Sequence, residues 1–519
     1  MRTLPLHSAA LLTAFTALSV NVGAQSITPK VRAWREQHEI EIVRELDSLL
    51  TIPNNASDTP NIRRNAELIR TMLAKRGVPA RILEHGAFPP AVFGELKVPG
   101  ATRTIILYAH YDGQPVDPKE WATAPWQPVL RGKPGANNAL SAVIPMPTQG
   151  RFDPESRIYA RSASDDKAPI VAMLAALDAM RANGIAPTVN LKFFFEGEEE
   201  AGSEHLRDLL TKYKDVLSGD VWLIVDGPVH QSRKQLLSFG VRGVLGLEMA
   251  TYGPARALHS GHYGNWAPNP GMLMVELLAS LRDGEGNILI DHFMDDIAKP
   301  TAAELAAVRA LPSVDAQLRR DLLLARSEAN DAPLSERVML PALNLRGIRV
   351  GNVAPTAANA ISPEAKASID FRLVPNQTPQ RIKQLFEAHL TKRGWWITHD
   401  SVTAEMRLAH ARVVRLAWED GYPATRTAMD LPVSQALRSV ITEARGEAVL
   451  MSPTSGASLG QYIFTDVLRS PTISLPIVNH DNDQHAKNEN VRLQNLWDGI
   501  ETLAGVMANL GKAWPSVVP

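Results

Sequence analysis

Three apolar runs of strand length punctuate the first half of the chain: Thr104-Ile105-Ile106-Leu107-Tyr108-Ala109, Val189-Asn190-Leu191-Lys192-Phe193-Phe194-Phe195 and Val221-Trp222-Leu223-Ile224-Val225. Between the first two, Ala168 to Asn183 has a helical pattern, with Pro169 near its start and Gly184 as its stop. Apolar runs followed by helical stretches predict buried strands in an α/β sheet. His110, the acidic run Glu196 to Glu200 and Asp226 each come directly after one of these strands. In open α/β sheets, ligands gather beyond the carboxyl ends of the strands, so these side chains are expected to converge. Further on, Ser368-Ile369-Asp370-Phe371-Arg372-Leu373-Val374 alternates in strand fashion.

At 519 residues the chain is long enough for two or three domains, and 45% hydrophobic with 21% charged residues suits a soluble globular protein with ample core. A formal net charge of −1 leaves no basic footprint for nucleic acid or an anionic membrane. The first residues add a destination. Arg2 precedes an apolar stretch from Ala9 to Val20, and Val22-Gly23-Ala24 places small residues before Gln25, so residues 1–24 read as a removed signal peptide. That stretch is shorter than the roughly 20 residues a membrane span needs. The expected mature protein is periplasmic or secreted, and the absence of cysteine permits that compartment without requiring it.

Four clusters carry candidate chemistry: His110-Tyr111-Asp112, Asp165-Asp166-Lys167, Glu196-Gly197-Glu198-Glu199-Glu200 and His485-Ala486-Lys487-Asn488-Glu489. With Asp226 they supply five groups that could hold two divalent cations: His110, Asp165, Glu200, Asp226 and His485. Imidazole nitrogen and carboxylate oxygen without sulfur suit zinc, cobalt or manganese in a hydrolytic site. Each cluster also has a plainer reading. His110-x-Asp112 is compatible with a surface turn, Asp165-Asp166 with an acidic N-cap, the glutamate run with a solvated turn, and Asp226-Gly227-Pro228 with a turn opened by Asp. Against the solvated turn, three consecutive carboxylates behind Phe193-Phe194-Phe195 repel one another where the chain leaves the core, and cations would relieve that repulsion. His259 and His262 share a Gly/Ser loop suited to a ligand or oxyanion role. The Arg372 guanidinium is either an outward charge or a bidentate partner for a substrate carboxylate.

In chain order, His110-Tyr111-Asp112, Ser164-Asp165-Asp166-Lys167, Glu196-Gly197-Glu198-Glu199-Glu200-Ala201-Gly202-Ser203, His259-Ser260-Gly261, Phe371-Arg372-Leu373-Val374-Pro375-Asn376 and His485-Ala486-Lys487-Asn488-Glu489 resemble the motifs of the zinc-dependent carnosinase, glutamate carboxypeptidase and acetylornithine deacetylase family. The resemblance implies an α/β catalytic domain with a mixed sheet and a dinuclear metal site, over residues 25–241 and 417–519. An inserted α+β lid or dimerisation domain would occupy residues 242–416, elaborated by the stretch from Asp283 to Leu345. It implies two divalent ions per chain, zinc first with cobalt or manganese as substitutes. Asp165 would bridge them, His110 pairing with Asp226 and His485 with Glu200. Glu199 matches the general base, Asp112 the residue supporting His110, and His259 an oxyanion donor delivered from the other subunit of a homodimer. Arg372 and Asn359 would bind a substrate carboxylate, and Gly456 and Ser458, in a loop at the substrate end, are further substrate-binding candidates. A cis peptide is expected at Asp165-Asp166.

The activity implied is hydrolysis of dipeptides or of C-terminal residues through a metal-activated water. The alternatives are an N-acyl-amino-acid deacylase and a noncatalytic peptide-binding relative, which intact Glu199 and a full ligand set argue against. Ala168 and Lys487 stand where the family usually has Gly and Pro, and Gly456-Ala457-Ser458-Leu459-Gly460 alters its Gly-Gly-Ser-x-Pro loop. These departures remove no ligand but weaken the transfer of substrate preference.

Overall fold

The three apolar runs form the middle of an eight-stranded mixed sheet. Its order is Ala80–Leu83, Ala91–Leu96, Asn190–Glu196, Thr104–His110, Val221–Ile224, Thr472–Ser474, Leu236–Ser238 and Leu450–Ser452. The computed structural model describes residues 26–135, 138–458 and 460–514, so the expected signal peptide lies outside the described residues. The four central strands run parallel, while Ala91–Leu96 joins Asn190–Glu196 antiparallel and makes the sheet mixed.

Strands in this position are buried on both faces, which is why their sequences are nearly continuous in apolar residues. Ile105, Leu107, Phe193 and Leu223 belong to the core shared with the helices Lys167–Ala182, Pro432–Arg445 and Leu493–Ala513. Ile106, Tyr108, Phe194 and Trp222 face the other way, onto the helices Leu206–Lys212 and Tyr462–Leu468. Each fully buried Phe in such a core stabilises by about 1.5–3 kcal/mol relative to an exposed one.

A second, five-stranded sheet is drawn from the middle of the chain, in the order Ala342–Arg349, Glu364–Leu373, Gly243–Tyr252, Val413–Trp418 and Trp396–Thr398. The helices Pro270–Ala279 and Pro379–Lys392 close its core, with Met274, Leu277, Ile382 and Phe386 against Leu247, Ile369 and Phe371. Where the chain enters and leaves this part, Gly240–Val241 pairs with Thr425–Arg426.

A four-stranded sheet completes the arrangement: Asn490–Arg492, Arg157–Tyr159, Val129–Arg131 and Val143–Ile144. Its pairing of Asn490 with Tyr159 lays the loop after Tyr159 beside the loop before Asn490. Those two loops carry Asp165 and His485. No helix among the described residues is long and apolar enough to cross a membrane.

Candidate metal centre and substrate cavity

Neighbouring parallel strands end in register, so the residues just beyond them are brought together. His110 closes its strand opposite Glu196 of the next one, and Asp226 lies two residues beyond Ile224 on the other side. The Glu196 strand continues directly into the turn bearing Glu199 and Glu200. A cavity of about 440 Å³ opens over these strand ends, a size suited to a small substrate. Asp165, Glu199, Glu200, Asp226 and His485 all line it.

Asp165 is the centre of the cluster. Its Oδ1 lies 2.9 Å from His110 Nε2 and its Oδ2 3.1 Å from His485 Nε2, so the two carboxylate oxygens face different imidazoles. Glu200 Oε2 lies 3.2 Å from the same His485 nitrogen and accepts a 2.7 Å hydrogen bond from Gln114. Ligand atoms of His110, Asp165 and Glu200 all fall within 4.8 Å of one another, as do those of His110, Asp166 and Asp226. The Asp165-Asp166 peptide is cis, and Asp166 Oδ2 accepts the His110 amide at 3.3 Å. Glu199 Oε2 approaches His110 Nε2 at 3.9 Å.

Asp112 is wholly buried behind His110. It lies 3.3 Å from His110 Nδ1 as a charge contact rather than an aligned hydrogen bond, and its two oxygens accept the backbone amides of Glu199 at 3.1 Å and Glu200 at 3.0 Å. One carboxylate therefore orients both the histidine and the acidic turn.

So many buried acids in one place strain their ionisation. Burial, then the charge of Asp165, pushes Glu200 up to about 7 and Asp226 up to about 6. Burial also pushes Glu199 well above the usual carboxylate range, with Asp226 and Glu200 adding to the effect. Burial opposes the charged form of Asp165 too, but its contacts with His110 and His485 hold it below the usual range. The matching rise of His110, against its own burial, comes from Asp112 and Asp165. Crowded anions that can lower their energy only by protonation or by a cation are what a divalent-metal site requires.

The remaining sequence candidates are distributed differently. Arg372 stands on the strand Glu364–Leu373, where its Nε donates to Asp370 at 2.9 Å and its Nη1 to Ser458 Oγ at 2.9 Å. Ser458 lines the cavity and Arg372 itself does not, so the guanidinium meets the lining through this hydrogen bond. The Gly456 carbonyl accepts from Arg242 at 3.0 and 3.2 Å, while its neighbours Ser455 and Ala457 line the cavity. The exposed His259 lies on a two-stranded ribbon of Leu258–His259 and Ala360–Ile361, and the exposed Asn359 just precedes the second strand, where its carbonyl accepts from the Ser260 amide at 2.9 Å. Within one chain, neither belongs to the cavity lining.

Two structural roles escape a reading of the sequence. Glu489, fully buried, accepts from the amides of Ser162, Ser164 and Asp165 at 2.9–3.0 Å, from Ser164 Oγ at 2.9 Å and from Arg161 Nη1 at 2.8 Å. It thereby holds the loop that presents Asp165. Glu198 accepts from the His205 amide at 2.7 Å and lies 3.0 Å from His205 Nδ1, which ties the turn bearing Glu199 and Glu200 to the start of the helix Leu206–Lys212. The signal available was the position of Glu489 in its motif and the His seven residues after Glu198. Neither spacing identifies a partner.

Similarity to known proteins spans most of the chain. Residues 106–509 match Peptidase family M20/M25/M40. Over 492 residues it is 25% identical to the Cys-Gly metallodipeptidase dug1 of Schizosaccharomyces pombe, covering 92% of this chain and 96% of that protein. It is 24% identical to the human Beta-Ala-His dipeptidase, covering 94% and 93%. Among solved structures, the M20 family metallo-carboxypeptidase Sso-CP2 from Sulfolobus solfataricus superposes with a TM-score of 0.73 at 25% identity, over 91% of this chain and 99% of that one. Human carnosine dipeptidase 1 shares the fold, with a TM-score of 0.70 at 22% identity over 94% and 99%.

Proposed function

Because the chain belongs to Peptidase family M20/M25/M40, we propose that it is a metal-dependent hydrolase cleaving the amide bond of dipeptides or releasing the C-terminal residue of small peptides. The observation that carries this reading is Asp165, whose two oxygens face His110 at 2.9 Å and His485 at 3.1 Å. His110, Asp165, Asp226, Glu200 and His485 would hold two divalent cations, with Asp165 common to the His110 and the His485 sides. The donor chemistry fits, since imidazole nitrogens and carboxylate oxygens without sulfur favour zinc, with cobalt or manganese as substitutes. Divalent cations bound there would polarise the substrate carbonyl and make water a nucleophile near neutral pH.

The chain's own groups supply the rest. Glu199, at the cavity wall and 3.9 Å from His110, accepts the proton of the attacking water and passes it to the departing amine. Asp112 keeps His110 and the Glu199-Glu200 turn aligned through its three contacts. Arg372, held by Asp370 and Ser458, supplies positive charge for the substrate carboxylate.

The segment of residues 242–416 serves in this proposal as a lid through which two chains pair. Met272 and Val275 on the helix Pro270–Ala279, with Leu345 and Ile348 on the edge strand Ala342–Arg349, are exposed apolar positions that a second copy would cover. Pairing would bring the exposed His259, and Asn359 beside it, to the partner's cavity. With residues 1–24 read as a signal peptide, the working compartment is periplasmic or secreted.

The test is hydrolysis of free dipeptides, their N-acetylated forms and longer peptides by metal-stripped and zinc-reconstituted protein. Zinc-dependent release of amino acids from dipeptides or from C-termini is expected. Cleavage confined to N-acyl amino acids moves the assignment to a deacylase, and binding without hydrolysis moves it to a noncatalytic relative.

A further inference from the structure

We propose that Tyr422 is a substrate-binding residue whose phenolic hydroxyl donates a hydrogen bond to the free carboxylate of the bound peptide, beside Arg372 and Ser458. This rests on the peptidase reading above and adds a residue to it. Tyr422 lies in the segment that returns from the five-stranded sheet, just before Thr425–Arg426. Its backbone is anchored there. The Val244 amide donates to its carbonyl at 3.1 Å and its own amide to the Val244 carbonyl at 3.0 Å. Gly243 makes this approach possible, because a Cβ there would collide with the backbone of Tyr422 and Pro423.

The ring is fixed as well. Tyr422 stacks on Tyr462 with centroids 5.2 Å apart and planes 8° from parallel, and the Arg207 guanidinium lies over the Tyr462 ring at 5.6 Å. With its backbone and one ring face engaged, Tyr422 still lines the substrate cavity, together with Ser455, Ala457 and Ser458. Among the described residues its hydroxyl has no hydrogen-bond partner, although a half-buried phenol ordinarily finds one. A donor held rigidly in a cavity with no protein acceptor is available to a ligand.

The chemistry of that ligand follows from the surroundings. The charged groups lining the cavity are Asp165, Glu199, Glu200, Asp226 and His485, all of them committed by the reading above to the metal centre and the reacting bond, so the cation left for an anionic substrate end is Arg372. Arg372 donates to Ser458 Oγ at 2.9 Å, leaving the serine's own proton free for an acceptor in the cavity. Tyr422 shares the cavity lining with Ser458, the serine that Arg372 holds, and its phenol feels the Glu199 carboxylate first and the Arg372 guanidinium second. Burial, reinforced by Glu199, pushes the phenol up to about 12, so it stays a neutral donor throughout the range in which a hydrolase works. A guanidinium, a serine hydroxyl and a phenol together recognise a carboxylate. A carboxamide in the same place would present an N–H2 to donors and lose the charge attraction.

The test uses a noncleavable reduced-amide dipeptide in two forms, with a free carboxylate and with a C-terminal carboxamide, as competitive inhibitors of the zinc-loaded full chain. Tyr422→Phe keeps the ring and its stack on Tyr462. It is expected to weaken the carboxylate form by about 10–100-fold and the carboxamide form by less than about threefold, with zinc content and melting temperature unchanged. Equal weakening of both forms, or weakening of neither, overturns the proposal. If the wild-type chain shows no zinc-dependent dipeptide hydrolysis, the peptidase reading fails first, and the Tyr422→Phe comparison is not needed to see it.

Discussion

Replacing Asp112 with asparagine removes one charge where two hydrogen bonds and a charge contact converge: the Glu199 amide at 3.1 Å, the Glu200 amide at 3.0 Å and His110 Nδ1 at 3.3 Å. Asparagine keeps the shape but offers a single acceptor oxygen. Whichever way the amide turns, its N–H2 opposes a backbone N–H, leaving a buried donor unsatisfied at a cost of about 1–3 kcal/mol. The loss then passes to the metal ligands, because His110 is no longer drawn towards a carboxylate and Glu200 loses the bond that fixes its backbone. Groups that orient ligands from behind are typically worth about 10–100-fold in metal affinity. At about 1.4 kcal/mol per factor of ten this is about 1.4–2.8 kcal/mol, the same size as the hydrogen-bond loss. Competition titration of zinc against a chelating dye reads the affinity, and urea unfolding of the metal-free protein reads the stability. Zinc affinity within threefold of wild type, together with unfolding free energy unchanged within about 0.5 kcal/mol, would refute the role given to Asp112.

Other substitutions separate the remaining parts. Glu199→Gln removes the proton acceptor and should lower kcat by about 10²–10⁴-fold while zinc content stays at the wild-type level; turnover within threefold of wild type sinks the assignment. Glu489→Gln sets an amide N–H2 against some of the five donors that Glu489 accepts, and should cost about 3 kcal/mol of stability by urea unfolding. A cost below about 1 kcal/mol would mean that the Asp165 loop is held by something else. Glu196, which accepts the Tyr108 hydroxyl at 2.8 Å, is pushed up to about 7 by burial, above its ordinary value near 4.5. A raised carboxylate favours the folded state fully below pH about 4.5, and that contribution is lost as pH rises through about 7, a swing of ~3 kcal/mol. Glu196→Gln, which cannot ionise, should therefore gain on wild type in melting temperature between pH 5 and pH 8, measured without metal. A difference that stays constant across that range counts against the shift.

What could be read along the chain was whatever depends on near neighbours and periodicity. The strands around Leu107, Phe194 and Leu223 announce themselves because a strand covered on both faces has no polar side to show. The helix ahead of Gly184 and the position of His110, Glu196 and Asp226 after strand ends were legible for the same reason, since local pattern places each residue on its element. Convergence at the carboxyl ends of parallel strands then brings those side chains together. Three-dimensional folding alone settled the strand order, with its antiparallel edge at Ala91–Leu96, and the partnership of residues far apart in the chain. Glu489 reaches the Asp165 amide across 324 positions, and Tyr422 reaches the cavity wall by way of Val244 and Tyr462. No periodicity encodes such pairs. A hydrogen bond or a ring stack is satisfied by any partner of the right chemistry, and which one comes within a few ångströms depends on how the whole sheet and its connections are packed.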